Sequence, residues 1–121
     1  MTILIQILVA IIAIEHLYFM YFEMFAWETI GMRTFKTLPK NLFSPTKGLA
    51  ANQGLYNGFL AAGLIWTFFI SDLDWQKNIS IFFLSCICIA GIYGGYSASK
   101  KIFYVQALPA IIALIGVLMV H

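Results

Sequence analysis

A chain of 121 residues has room for one domain. One that is 62% hydrophobic and 10% charged, with a mean hydropathy of +0.91, lies well outside the range of soluble globular domains. The formal charge of +2 is small and the basic residues form no stripe interleaved with stacking aromatics, which excludes a nucleic-acid-binding surface.

The first apolar run, Thr2 to Ala26, has no Lys or Arg ahead of it and no small-residue cleavage pattern behind its core, so it reads as a permanent helix rather than a secretory signal. It carries Glu15, His16 and Glu23. At about 100° per residue these three fall within one stripe, with Ile12 and Phe19 between them and Tyr18 and Tyr21 on another face. A charged side chain at mid-bilayer costs about 2.5 to 3.5 kcal/mol even on the lenient insertion scale, so such a stripe is expected to face protein. Glu23, near the end of the run, is placed to reach a snorkelling Arg33 or Lys36.

The long connection from Trp27 to Lys47 mixes Arg33, Lys36, Lys40 and Lys47 with Met32, Phe35, Leu38, Leu42 and Phe43, the composition of an interfacial amphipathic segment. Pro39 interrupts it, and Ser44 followed by Pro45 is a helix start signal. The second span, Gly48 to Ile70, has a polar stripe of Asn52, Gln53, Tyr56 and Asn57. Beside that stripe runs a ladder of small residues, Ala50, Gly54, Gly58 and Ala62, that lets another backbone come close. A short loop, Ser71 to Lys77, follows.

In the third span, Asn78 to Ser97, Cys86 and Cys88 point about 200° apart on a helix, which suits buried small hydrophobes better than a metal pair or a disulfide. Gly91, Gly95 and Ser99 form a second small-residue ladder, and the second and third spans are the expected close pair. After a tight turn at Ser99 to Lys101 comes the fourth span, Ile102 to Val120. There Pro109 frees the carbonyl of Val105, so a kink coincides with the polar Gln106.

The expectation is therefore an all-α integral membrane bundle of four transmembrane helices in one domain, with spans at about 2–26, 48–70, 78–97 and 102–120. Six of the seven basic residues fall in the first and last connections, and only Lys77 lies on the other side. The positive-inside rule then puts both termini on the outer side. In that orientation Glu23, Asn52, Gln53 and Gln106 share a layer in the cytoplasmic half, with Glu15, His16 and Asn57 deeper. The expected site is one polar pocket lined by Glu15, His16, Glu23, Asn52, Gln53, Tyr56, Asn57 and Gln106, open to the cytoplasm or the inner leaflet. Gly54, Gly58, Gly91 and Gly95 serve helix packing. Two carboxyls and one imidazole have no intramembrane Lys or Arg to balance them, so at least one proton or bound cation is expected, with Glu15 as the candidate protonated acid.

The segments Glu15 to Trp27 (EHLYFMYFEMFAW), Leu49 to Leu64 (LAANQGLYNGFLAAGL), Gly91 to Gly94 (GIYG) and Val105 to Ala110 (VQALPA) resemble a family of small bacterial membrane proteins known as domain of unknown function 1304. The resemblance implies a four-helix protein of the bacterial inner membrane and brings no activity with it. The chain has no Gly-rich phosphate loop and no His-rich metal spacing, and His121 is the only histidine besides His16, so neither a cofactor nor a metal is expected. Three readings stay open: a proton-linked binder or transporter of a small amphipathic or cationic compound, a membrane-embedded acid/base enzyme acting on a lipid-like substrate, and a structural partner of a larger membrane complex. A chain this short also gains from forming a homodimer.

Overall fold

The computed structural model describes residues 1–120; His121 lies outside the described residues. Among the described residues all regular structure is helical. Four long helices dominate: α1 (Ile3–Phe25), α2 (Lys47–Thr67), α3 (Leu73–Ser97) and α4 (Lys100–Met119). Of these, α1, α3 and α4 are long and apolar enough to cross a membrane. At 21 residues α2 matches them in length, but Asn52, Gln53 and Asn57 leave it less apolar.

The chain forms two compact units, one made of Met1–Ile14 with the chain from Leu60 onward, the other of Glu15–Phe59. The first unit owns the apolar core: Val9, Ile12, Leu64, Leu84, Ile87, Ala110, Ala113 and Val117 are almost completely buried. Outside it stand Ile3, Leu4, Ile7, Ile11, Ile89, Ile112 and Met119, all exposed, an arrangement that lipid rather than water accommodates.

Helix ends in this unit are set by side chains. Asp72 is the N-cap of α3, its Oδ1 accepting from the Trp75 amide at 3.0 Å, so the helix starts at Leu73 where the apolar run alone suggested Asn78. That early turn lets Gln76 Nε2 donate to the Thr67 carbonyl at 3.0 Å, satisfying one of the orphan carbonyls at the end of α2. The neighbouring Lys77 Nζ donates to the Val120 carbonyl at 2.8 Å. Ser99 caps α4, its Oγ accepting from the Lys101 amide at 3.2 Å.

Pro109 leaves its mark one turn upstream. Residues Phe103–Ala107 form a π-helical turn, closed by the Leu108 amide donating to the Phe103 carbonyl. The wider turn re-routes the hydrogen bonds that a proline would otherwise break, so the anticipated kink is a π-bulge. It packs against the small-residue face of α3: a Cβ built on Gly91 would lie 2.5 Å from the Ala107 nitrogen, and one on Gly95 2.6 Å from Phe103 Cβ. The glycines of α3 therefore receive α4, not the second span as the ladders suggested.

This contact gives a stability prediction. Gly91→Ala must push two backbones apart and is expected to lower stability by about 1–3 kcal/mol in thermal unfolding in detergent. Gly48→Ala, where an added Cβ meets nothing within 4 Å, is expected to leave stability unchanged or raise it by up to about 1 kcal/mol.

Candidate functional site

The second unit joins the later half of α1, the connection, and the first half of α2. After α1 ends, Trp27–Gly31 make a π-helical turn, closed by the Gly31 amide on the Ala26 carbonyl at 3.1 Å, and Met32–Thr34 add one α-turn. The turn gathers an aromatic cluster: the Trp27 ring lies 5.5 Å from Phe35 and 4.9 Å from Phe43, which is buried. Trp27 Nε1 donates to Thr46 Oγ1 at 3.0 Å, and that hydroxyl donates to the Leu42 carbonyl at 2.7 Å. The last turn before α2 is thereby fixed by Trp27, and α2 starts at Lys47 rather than directly behind Ser44 and Pro45. At the same end Lys47 pairs with Glu28 at 3.6 Å, an exposed pair of small energetic weight.

Against this frame Glu23 is 2% exposed. Its Oε2 accepts from Gln53 Nε2 at 2.7 Å and its Oε1 from Asn57 Nδ2 at 2.6 Å, one amide for each carboxyl oxygen. Gln53 and Asn57 are four residues apart, so they project from the same face of α2 on successive turns. Gly54 lies between them and permits the approach: a Cβ there would stand 2.8 Å from Met24 Cγ, 3.0 Å from Glu23 Cβ and 3.1 Å from the Met20 carbonyl. A Cβ on Gly58, one turn on, would lie 2.6 Å from Met20 Sδ. The expected partner of this ladder was the third span; the structure sets α1 there.

Among the described residues no Lys or Arg pairs with Glu23, so the amides occupy the place proposed for a snorkelling Arg33 or Lys36. Two of the carboxylate's four lone-pair positions remain open. An open groove of about 210 Å³ runs past it, lined by Glu23 and Gln53 together with Trp27, Leu38, Thr46, Leu49 and Ala50. The groove thus has one acidic point, an amide and a hydroxyl set in an apolar wall.

Glu15 and His16 form a second feature on α1, about 12 Å of helical rise before Glu23. His16 is completely buried with its ring edge-on to Phe19 at 5.1 Å. Its Nδ1 lies 4.0 Å from Glu15 Oε1, a buried oxygen that accepts no hydrogen bond among the described residues. Asn52 and Tyr56 are exposed, and Gln106 belongs to the first unit, in the π-turn of α4. Among the expected residues, Glu23, Gln53 and Asn57 are joined directly by hydrogen bonds. Trp27, Leu38, Thr46 and Met20 take part without having been singled out; a Trp at the end of an apolar helix signals a membrane interface and hides a structural hydrogen bond. No group of three His, Cys, Asp or Glu able to hold a metal occurs among the described residues.

Residues 10–118, which contain every residue of the site, match the family model described as Protein of unknown function (DUF1304), and the chain belongs to that family. It is 38% identical over 118 residues to a Lactococcus lactis subsp. lactis (strain IL1403) protein described as "Uncharacterized protein YpaA", a match covering 96% of this chain and 98% of that one. No solved structure matches it.

Removing one donor from the clamp tests its weight. Asn57→Leu leaves Glu23 Oε1 buried without a hydrogen bond and is expected to cost about 1–3 kcal/mol of stability in detergent. Tyr21→Phe, on the exposed face of α1, is expected to stay within about 0.5 kcal/mol of the parent chain.

Proposed function

We propose that this member of the DUF1304 family is a four-span protein of the bacterial inner membrane, with both termini outside, that binds a small amphipathic cation at Glu23 and exchanges it for a proton. The observation that carries this reading is a nearly sealed carboxyl group held by two neutral amides, unpaired with any Lys or Arg among the described residues, on the wall of an apolar groove. Amides supply dipoles but no charge. In a low dielectric an ionised Glu23 needs a counter-charge, and a proton or a ligand cation meets that need equally. Both use the carboxyl's free lone pairs, so each displaces the other. That competition is the elementary step of proton-linked exchange.

The groove's dimensions and lining support a small, partly apolar ligand. About 210 Å³ is below the usual range of roughly 300–1,000 Å³ for drug-sized pockets, which favours a small compound. Trp27, Leu38, Leu49 and Ala50 would take its apolar body.

The membrane arrangement is supported by α2 itself. Its 21 residues rise about 31 Å, close to the thickness of the hydrocarbon core. Two of the three amides that lower its hydropathy are engaged with Glu23. Orientation rests on the basic residues, so reporters fused at either terminus are expected to read as outside and one inserted near Lys40 as cytoplasmic. A cytoplasmic C-terminus would overturn it.

Binding is tested with phenethylammonium and its neutral counterpart phenethyl alcohol, titrated against the purified chain by calorimetry. The expected result is binding of the cation only, abolished in Glu23→Gln, which keeps the shape and one acceptor oxygen, and whose NH2 is met when the facing amide turns its own oxygen inward, but which lacks the charge. Equal affinity for the alcohol, or undiminished binding in Glu23→Gln, would leave Glu23 as a purely structural link between helices.

A further inference from the structure

We infer that the exposed face of α2 is a dimer interface, on which a second copy of this chain pairs Asn52 with Asn52. The inference rests on the reading that α2 crosses the membrane. At about 100° per residue, the exposed side chains Leu49, Asn52, Leu55, Tyr56, Phe59 and Trp66 fill one face of the helix, and Asn52 lies at its centre. The buried Ala50, Gly54 and Ala61 lie opposite.

Unlike Gln53 and Asn57, the Asn52 side chain makes no hydrogen bond among the described residues. It stands about 7.5 Å of helical rise inside the start of α2, and its side chain is too short to snorkel as Lys does. A primary amide turned toward acyl chains loses its hydrogen bonds to water and gains none. Hydrocarbon cannot satisfy that side chain.

A second copy can, for a reason specific to identical chains. A two-fold axis along the membrane normal sets each Asn52 against its counterpart at equal depth. An amide carries both donor and acceptor, so the pair is self-complementary. Tyr56, one turn away, brings a hydroxyl with the same dual capacity. Leu49, Asn52, Tyr56 and Phe59 recur with steps of three, four and three residues, the period of a left-handed helix pair. Leu49 also lines the Glu23 groove, so the interface adjoins the groove.

The test uses the full chain in native membranes. On a Cys86→Ala, Cys88→Ala background, Asn52→Cys and Tyr56→Cys are expected to give disulfide-linked dimers on oxidation, and Ala61→Cys is not. In the parent chain, labelled at its termini and reconstituted in bilayers, energy transfer under lipid dilution reads dimerisation without the background substitutions. There Asn52→Leu is expected to weaken dimerisation by about three- to thirtyfold, and Asn52→Gln to retain most of it. Absent crosslinks at both positions, crosslinks only to a different protein, or an unchanged Asn52→Leu would each overturn the interface. Impermeant labelling of Lys47→Cys and Asp72→Cys separates this failure from the other: labelling from one and the same side refutes the four-span reading, whereas opposite sides without dimers refute the interface alone.

Discussion

A carboxyl group removed from water must have its oxygens satisfied by something, and around Glu23 that requirement organises the whole second unit. Each oxygen takes one amide from α2. The spacing of Gln53 and Asn57 follows from the pitch of the helix, and the glycine between them from the short distance that hydrogen bonds of 2.6 and 2.7 Å impose on two backbones. The connection then has to turn α2 back onto α1 in register. Trp27 does this by packing on Phe35 and Phe43 while its indole nitrogen holds Thr46, next to the first residue of α2. Replacing any of these parts changes the environment of one carboxyl.

The first unit solves a different problem with different means. Its core is aliphatic and its polar groups are few; Gln76, Ser80 and Thr67 are buried, and each donates to a backbone carbonyl. Close packing comes from the meeting of the glycine face of α3 with the π-turn of α4, where Pro109 loosens the hydrogen-bond ladder and Gly91 makes room for the bulge. Sites of ligand chemistry favour the first solution, with open acceptors beside a groove, over the second, in which the buried polar donors are absorbed by the backbone.

Much of this was legible in the residues. Helical periodicity put Glu23 on one stripe and Gln53 and Asn57 on another, and the intolerance of lipid for such groups said that the stripes face protein. Periodicity does not say which acid meets which amide. Glu15 and Glu23 share a stripe, and only the fold, by setting Gly54 against Met20 and Met24, selects Glu23 as the one that receives the clamp. Small-residue ladders likewise announce a close neighbour without naming it, which is why the glycine ladders of the second and third spans meet other helices rather than each other, while the two spans touch instead where Gly63 faces Phe83. Helix starts were missed where a cap, Asp72, outweighed apolar length, and of the groove's lining only Glu23 and Gln53 were expected, because Trp27, Leu38 and Thr46 come from a connection whose path no periodicity encodes.

The central claim is that Glu23 sits between two amides with acceptor capacity left for a cation. Solid-state NMR in lipid bilayers tests it directly, through the dipolar coupling between the side-chain carboxyl carbon of Glu23, assigned by its loss in Glu23→Gln, and the labelled amide nitrogens of Gln53 and Asn57. The account predicts strong coupling to both nitrogens in the free protein and a shifted carboxyl resonance on adding phenethylammonium, with both couplings retained. Absence of coupling to either amide would contradict the clamp, and a carboxyl resonance indifferent to the cation would contradict its role as a binding point.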